Sequence, residues 1–127
     1  MNTRRMLALT LALALTTLAA AACKGAGSTP TATYKAAYDA IKSKDTAAFK
    51  KVITKKDLQE IEDEAKQARK TSDEMLREVM DTFKLPAAAE SKDEKIDGDK
   101  ATLQVKSEND QWNTINFVKE DGEWKMK

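Results

Sequence analysis

The chain contains one cysteine, Cys23, and no histidine. Imidazole carries the proton in most acid–base pairs and in the Ser-His-Asp and Cys-His arrangements, so those chemistries lack their central residue. Zinc sites of the Cys/His kind need several such ligands and are excluded on the same count. Carboxylates, lysines, two tyrosines and two tryptophans remain. Among the carboxylates, Asp45 and Asp57 stand where helix caps belong, and Asp39 lies one residue off an apolar helical face. A general base needs a shifted pKa and a substrate within hydrogen-bond reach, and no two groups are spaced to provide both. No catalytic residue, cofactor or metal ion is therefore expected.

Binding asks for less. Tyr34 and Tyr38 are four residues apart, so both fall on the inward face of one helix, and with Trp124 they are expected to line a small cavity. The plainer alternative makes them core aromatics with their hydroxyls at the rim. Trp112 falls on a strand face that is otherwise polar, and tryptophan is enriched at the centres of interfaces, so it marks a candidate interaction surface. Its plainer alternative is an edge residue lying on lysine methylenes such as those of Lys106. Met75 and Met80 read as adaptable core filler.

Cys23 closes an apolar run and opens a small, flexible one, LAAAACKGAGSTP. Arg4 and Arg5 precede a Leu/Ala-rich stretch from Met6 that ends in Ala19–Ala22, the charged start, short apolar region and small-residue exit of a secretory signal peptide. An uncleaved signal anchor is the alternative, but the stretch falls short of the ~20 strongly apolar residues that a spanning helix requires. Cleavage before Cys23 resembles the lipobox of bacterial lipoproteins, although the usual Leu three residues upstream is Ala20 here. The resemblance implies a lipid on the Cys23 thiol, residence in the cell envelope and, with Lys24 next to the lipid, an outer membrane facing the periplasm in a cell with two membranes. Cleavage at an A-x-A site would instead leave a free thiol, which invites intermolecular disulfides outside the cytoplasm. Several acyl chains on one residue hold firmly, each buried CH₂ contributing ~0.8 kcal/mol. Residues 1–22 are thus expected to be a signal peptide and residues 23–30 a flexible tether.

Residues 31–127 are the size of one small domain. The 22 basic and 21 acidic residues nearly cancel, and losing Arg4 and Arg5 with the signal leaves 20 against 21. Nucleic-acid binding lacks its electrostatic footprint, and no such partner is expected.

The first half of the domain has helical periodicity. Thr29-Pro30 offers a cap and a proline at the first helical position, ahead of Tyr34, Ala37, Tyr38 and Ile41 at i, i+3, i+4, i+7. Asp45 caps a short helix with Phe49, Val52 and Ile53. Leu58, Ile61, Ala65 and Ala68 follow on a third. Thr71-x-x-Glu74 is a capping box that restarts a fourth, bearing Met75, Leu76, Val79, Met80 and Phe83 and stopped by Leu85-Pro86. One continuous helix from Lys55 to Phe83 is the alternative.

The second half alternates with period two. Gly98-Asp99 and Asp121-Gly122 are two-residue turns and 108–110 a longer one. That register sets Leu103 opposite Ile115, Phe117 opposite Met126 and Lys119 opposite Trp124. One face then collects Ile96, Ala101, Leu103, Val105, Ile115, Phe117, Trp124 and Met126. The other holds Thr102, Gln104, Lys106, Trp112, Thr114, Asn116 and Lys125. The fold class is α+β: N-terminal helices packed on one face of a C-terminal four-stranded antiparallel meander.

The segments Asp45-Thr46-Ala47-Ala48-Phe49, Ile96 to Leu103 and Lys119-Glu120-Asp121-Gly122-Glu123-Trp124-Lys125, in this order, resemble the nuclear transport factor 2-like, or cystatin-like, superfamily, and within it small bacterial lipoprotein domains. The resemblance covers nearly all of residues 31–127. It implies a curved sheet closing on the helices as a cone, made shallower here by a short last strand. Fold alone leaves function open, because such folds serve enzymes, binding modules and scaffolds. The expected function is a membrane-anchored, non-catalytic module that binds a protein partner or a small apolar ligand. The alternatives are a small-pocket isomerase- or cyclase-like enzyme and a structural or inhibitory envelope protein. A buried carboxylate in a polar pocket would point to the enzyme, and an exposed patch around Trp112 to a partner.

Overall fold

A computed structural model describes residues 25–127; residues 1–22, expected to be a signal peptide, and Cys23 and Lys24 lie outside the described residues. Four helices, α1 (Pro30–Ser43), α2 (Thr46–Lys50), α3 (Lys55–Gln67) and α4 (Ser72–Thr82), precede four strands, β1 (Ser91–Asp97), β2 (Lys100–Lys106), β3 (Trp112–Glu120) and β4 (Glu123–Met126). The strands form one antiparallel sheet in chain order. The protein is α+β, with its helices on one face of the meander.

Each helix starts where a side chain satisfies its free amides. Thr29 accepts from the Ala32 amide (3.0 Å), Asp45 from Ala48 (3.0 Å) and Thr54 from Asp57 (3.1 Å). Lys44, at φ 56°, ends α1 in the left-handed region. Arg69 does the same for α3 at φ 57°, with the Lys70 amide returning to the Ala65 carbonyl (2.8 Å). Thr71 and Glu74 then complete a reciprocal capping box, so residues 55–83 form two helices rather than one. Hydrogen bonds from the Thr71 backbone and hydroxyl hold the Glu74 carboxyl below its ordinary range.

The core has two parts that meet at α1. Tyr34 faces the sheet among Ala101, Leu103, Val105, Phe117 and Trp124. Ala37, Ala40 and Ile41 face Phe49, Val52, Ile53, Leu76 and Met80. The α3–α4 pair thus buries its apolar stripe on the α1–α2 layer, and α1 carries the main contact with the strands.

The strand register follows the alternation. Leu103 pairs with Ile115, Phe117 with Met126 and Lys119 with Trp124. Ile96 pairs with Ala101 on the inner side but is 55% exposed, contrary to the expected burial. The helix layer leaves this edge strand uncovered at Ile96, and β1 itself is irregular. Lys92 pairs with Gln104 and Lys95 with Thr102, leaving Asp93 and Glu94 opposite Leu103 alone, and Asp93 sits at φ 52°. This bulge bends the edge strand and aims Glu94 at the start of α1, where it accepts from the Thr31 amide (2.9 Å) and hydroxyl.

At the opposite edge, β4 is sealed by chain from elsewhere. The Trp124 amide donates to the Gly27 carbonyl (2.8 Å) and the Met126 amide to the Val52 carbonyl (2.7 Å). Gly27 is buried, and Thr29 and Pro30 open α1. From Gly27 onward, the segment read as a tether is part of the fold.

Candidate functional site

Tyr34 and Tyr38 line one recess of about 270 Å³ on the inner side of the sheet. Helix α1 contributes these two residues with Ala37 and Ile41, the strands contribute Val105, Ile115 and Met126, and the third wall is the Phe83–Pro86 connector after α4. The lining is mostly apolar, with Lys84, Lys106, Ser107 and Asn113 among its polar members.

The two tyrosines differ in what they do there. The Tyr38 hydroxyl donates to the Pro86 carbonyl (2.8 Å), tying α1 to the connector. The Tyr34 hydroxyl makes no hydrogen bond among the described residues. No fully buried side-chain polar atom among them lacks a partner, so this hydroxyl reaches solvent. Burial, then the neighbouring Tyr38 and Glu90, pushes the Tyr34 hydroxyl above the ordinary phenol range. It therefore keeps its proton at neutral pH and can donate a hydrogen bond.

Trp124 does not line this recess. It is 4% exposed within the sheet-side core, with the Lys119 ammonium 5.6 Å from its ring centroid. Trp112 stands on the outer face, 39% exposed, paired with Lys106 across the strands. The lysine lying over its ring, however, is Lys92, whose ammonium is 4.1 Å from the centroid. Of the carboxylates, Asp39 pairs with Lys35 (3.0 Å), Asp45 caps α2, and Asp57 accepts from the Thr54 hydroxyl (2.6 Å). None of the three lines the recess.

Sequence reasoning missed Phe83, Leu85 and Pro86 as part of the site. Its spacing places Phe83 on the buried face of α4, yet it caps that helix at 49% exposure, its ring tilted against Phe49 with centroids 6.4 Å apart. The Leu-Pro pair was read only as a helix stop. An apolar pair persisting beyond the helix end was the available signal.

No helix among the described residues is long and apolar enough to cross a membrane. Compared with protein-family models, curated proteins and solved structures, the chain matches none.

Proposed function

We propose that the chain is a lipid-anchored envelope lipoprotein whose domain, similar in its element order to nuclear transport factor 2-like modules, acts by binding rather than catalysis. The anchor is the lipidated Cys23 beyond a signal peptide, and the setting is the outer membrane facing the periplasm where the cell has two membranes. One observation carries the binding reading: an apolar recess at the junction of α1, the connector and the sheet, with the Tyr34 hydroxyl on its wall unengaged among the described residues. Ligand sites combine apolar walls with few polar groups, in volumes of about 300–1,000 Å³. A recess of about 270 Å³, just under that range, suits one ring or a short branched chain with an acceptor for Tyr34.

The test uses the full chain in a non-ionic detergent and small aromatic ketones such as acetophenone as probes. Binding is expected to raise the melting temperature in proportion to occupancy, to weaken in Tyr34→Phe and to vanish in Ile115→Phe, which fills the recess. Binding indifferent to both variants would overturn the site. The anchor is read separately: Cys23→Ser should abolish labelling by a palmitate analogue and leave an unprocessed precursor, and unchanged labelling would refute it.

A further inference from the structure

The face of the sheet turned away from the helices carries a second concavity, of about 600 Å³. Six strand residues form its walls, Lys95 and Asp97 on β1, Lys100 and Thr102 on β2, and Asn116 and Val118 on β3, and Lys127 joins them after β4. Register explains why these six meet. Lys95 pairs with Thr102 and Thr102 with Asn116; Asp97 pairs with Lys100 and Lys100 with Val118. Two adjacent cross-strand rows therefore point the same way, since alternate residues of a strand share a face. The bulge at residues 93–94 bends β1 next to Lys95, and such bends add twist at a sheet edge.

Elsewhere on this face the lysines are engaged, and Lys92 lies over the Trp112 ring. Lys106 and Lys125 are neutralised by Asp110 (3.1 Å) and Glu123 (3.0 Å). Among the described residues, Lys95 and Lys100 form no ion pair. With Lys127, which is likewise without an ion pair among them, the recess presents three ammonium groups, the Asp97 carboxylate, a hydroxyl and a primary amide around the Val118 side chain. An anionic, hydroxylated guest finds a point-charge partner in each lysine and groups that both donate and accept in Thr102 and Asn116.

From this arrangement we infer that the outer recess binds an acidic saccharide, a chain of sugar units carrying carboxylates. The site is separate from the inner recess and does not depend on it. β2 and β3 are interior strands, hydrogen-bonded on both sides, and the free edge of β1 is broken by the bulge beside Lys95, which works against ladder extension by an acidic peptide. Recognition of an anionic bilayer uses clusters of about four to eight basic residues, more than the recess holds. Beyond it the face continues through Gln104 and Thr114 to Trp112, about 13 Å from Asn116 at the rise of a strand. Further sugar units would meet more amide and hydroxyl groups and then an aromatic edge.

Calorimetric titration of the full chain in non-ionic detergent with penta-galacturonate tests the inference, with a neutral galactan pentamer and polyglutamate as comparisons. The galacturonate is expected to bind, and more weakly as salt screens the lysines. Lys95→Gln with Lys100→Gln should lower its affinity about tenfold or more, with the melting temperature unchanged because both side chains are exposed. Asp97→Asn should tighten it. No binding of the galacturonate, equal binding of the neutral pentamer, comparable binding of polyglutamate, or indifference to the lysine changes would each overturn the inference.

Discussion

The two faces of the sheet are built from the same three strand pairings and share almost no chemistry. The inner face of β2 offers Ala101, Leu103 and Val105, all buried; its outer face offers Thr102, Gln104 and Lys106, all partly exposed. A one-residue slip would exchange the two sets, so burial of one face locks the register that assembles the other. The recess on the inner face depends on helix and connector packing. The recess on the outer face depends on register alone.

The sharpest way to break this comparison is to remove an inner aromatic. Phe117 and Trp124 are 1% and 4% exposed and sit at the centre of the sheet-side core. Phe117→Ala and Trp124→Ala are each expected to cost about 3–5 kcal/mol in urea unfolding, the range for deleting a buried large aromatic. Losses no greater than those of surface substitutions would mean that the faces are not distinguished in this way.

Next comes the seal along β4. Gly27 sits at φ 90°, and a Cβ there would lie 3.1 Å from the Glu123 Cβ. The position thus combines a left-handed backbone with a close approach, which glycine alone accepts without strain. Gly27→Ala should cost about 1–3 kcal/mol and expose the Trp124 amide to hydrogen exchange. Gly98, at φ 59° with nothing near its missing Cβ, supplies the control. Gly98→Ala should cost less and leave Trp124 protected.

How far the sequence could be read follows the same division. The pairings of β2, β3 and β4 were legible because alternation and the Asp121-Gly122 turn both specify them. Helix starts were legible at Thr29, Asp45 and Thr71 because capping is local. The start of β1 was not, since its inward positions are Ser91, the bulged pair Asp93-Glu94 and Ile96, with no apolar alternation. Ile96 was expected inside, but no rule of spacing shows how far a helix layer extends over an edge strand. The inner recess was half legible. Tyr34 and Tyr38 share a helical face, whereas Phe83 and Pro86 reach the site through tertiary packing, as with the Tyr38–Pro86 bond across 48 positions of sequence. The outer recess draws on three strands, and only the full register brings Lys95 beside Thr102 and Asn116.

The smallest expected effect sharpens the comparison most. Trp112 is a large aromatic on β3, like Phe117 five residues later, but on the opposite face. If side-chain size governed its cost, Trp112→Ala would resemble Trp124→Ala. If face governs it, the loss is limited to a half-exposed ring and its contact with the Lys92 ammonium at 4.1 Å. Cation–π contacts at exposed sites contribute about 0.5–1 kcal/mol, so Trp112→Ala should cost no more than about 1 kcal/mol in urea unfolding. Lys92→Met, which keeps an unbranched side chain of similar length and removes the charge, should reproduce most of that loss. The double variant should then cost little more than Trp112→Ala alone, because both changes delete one shared contact. A Trp112→Ala loss of the inner-face size would place the ring in the core and reverse the assignment of β3's faces.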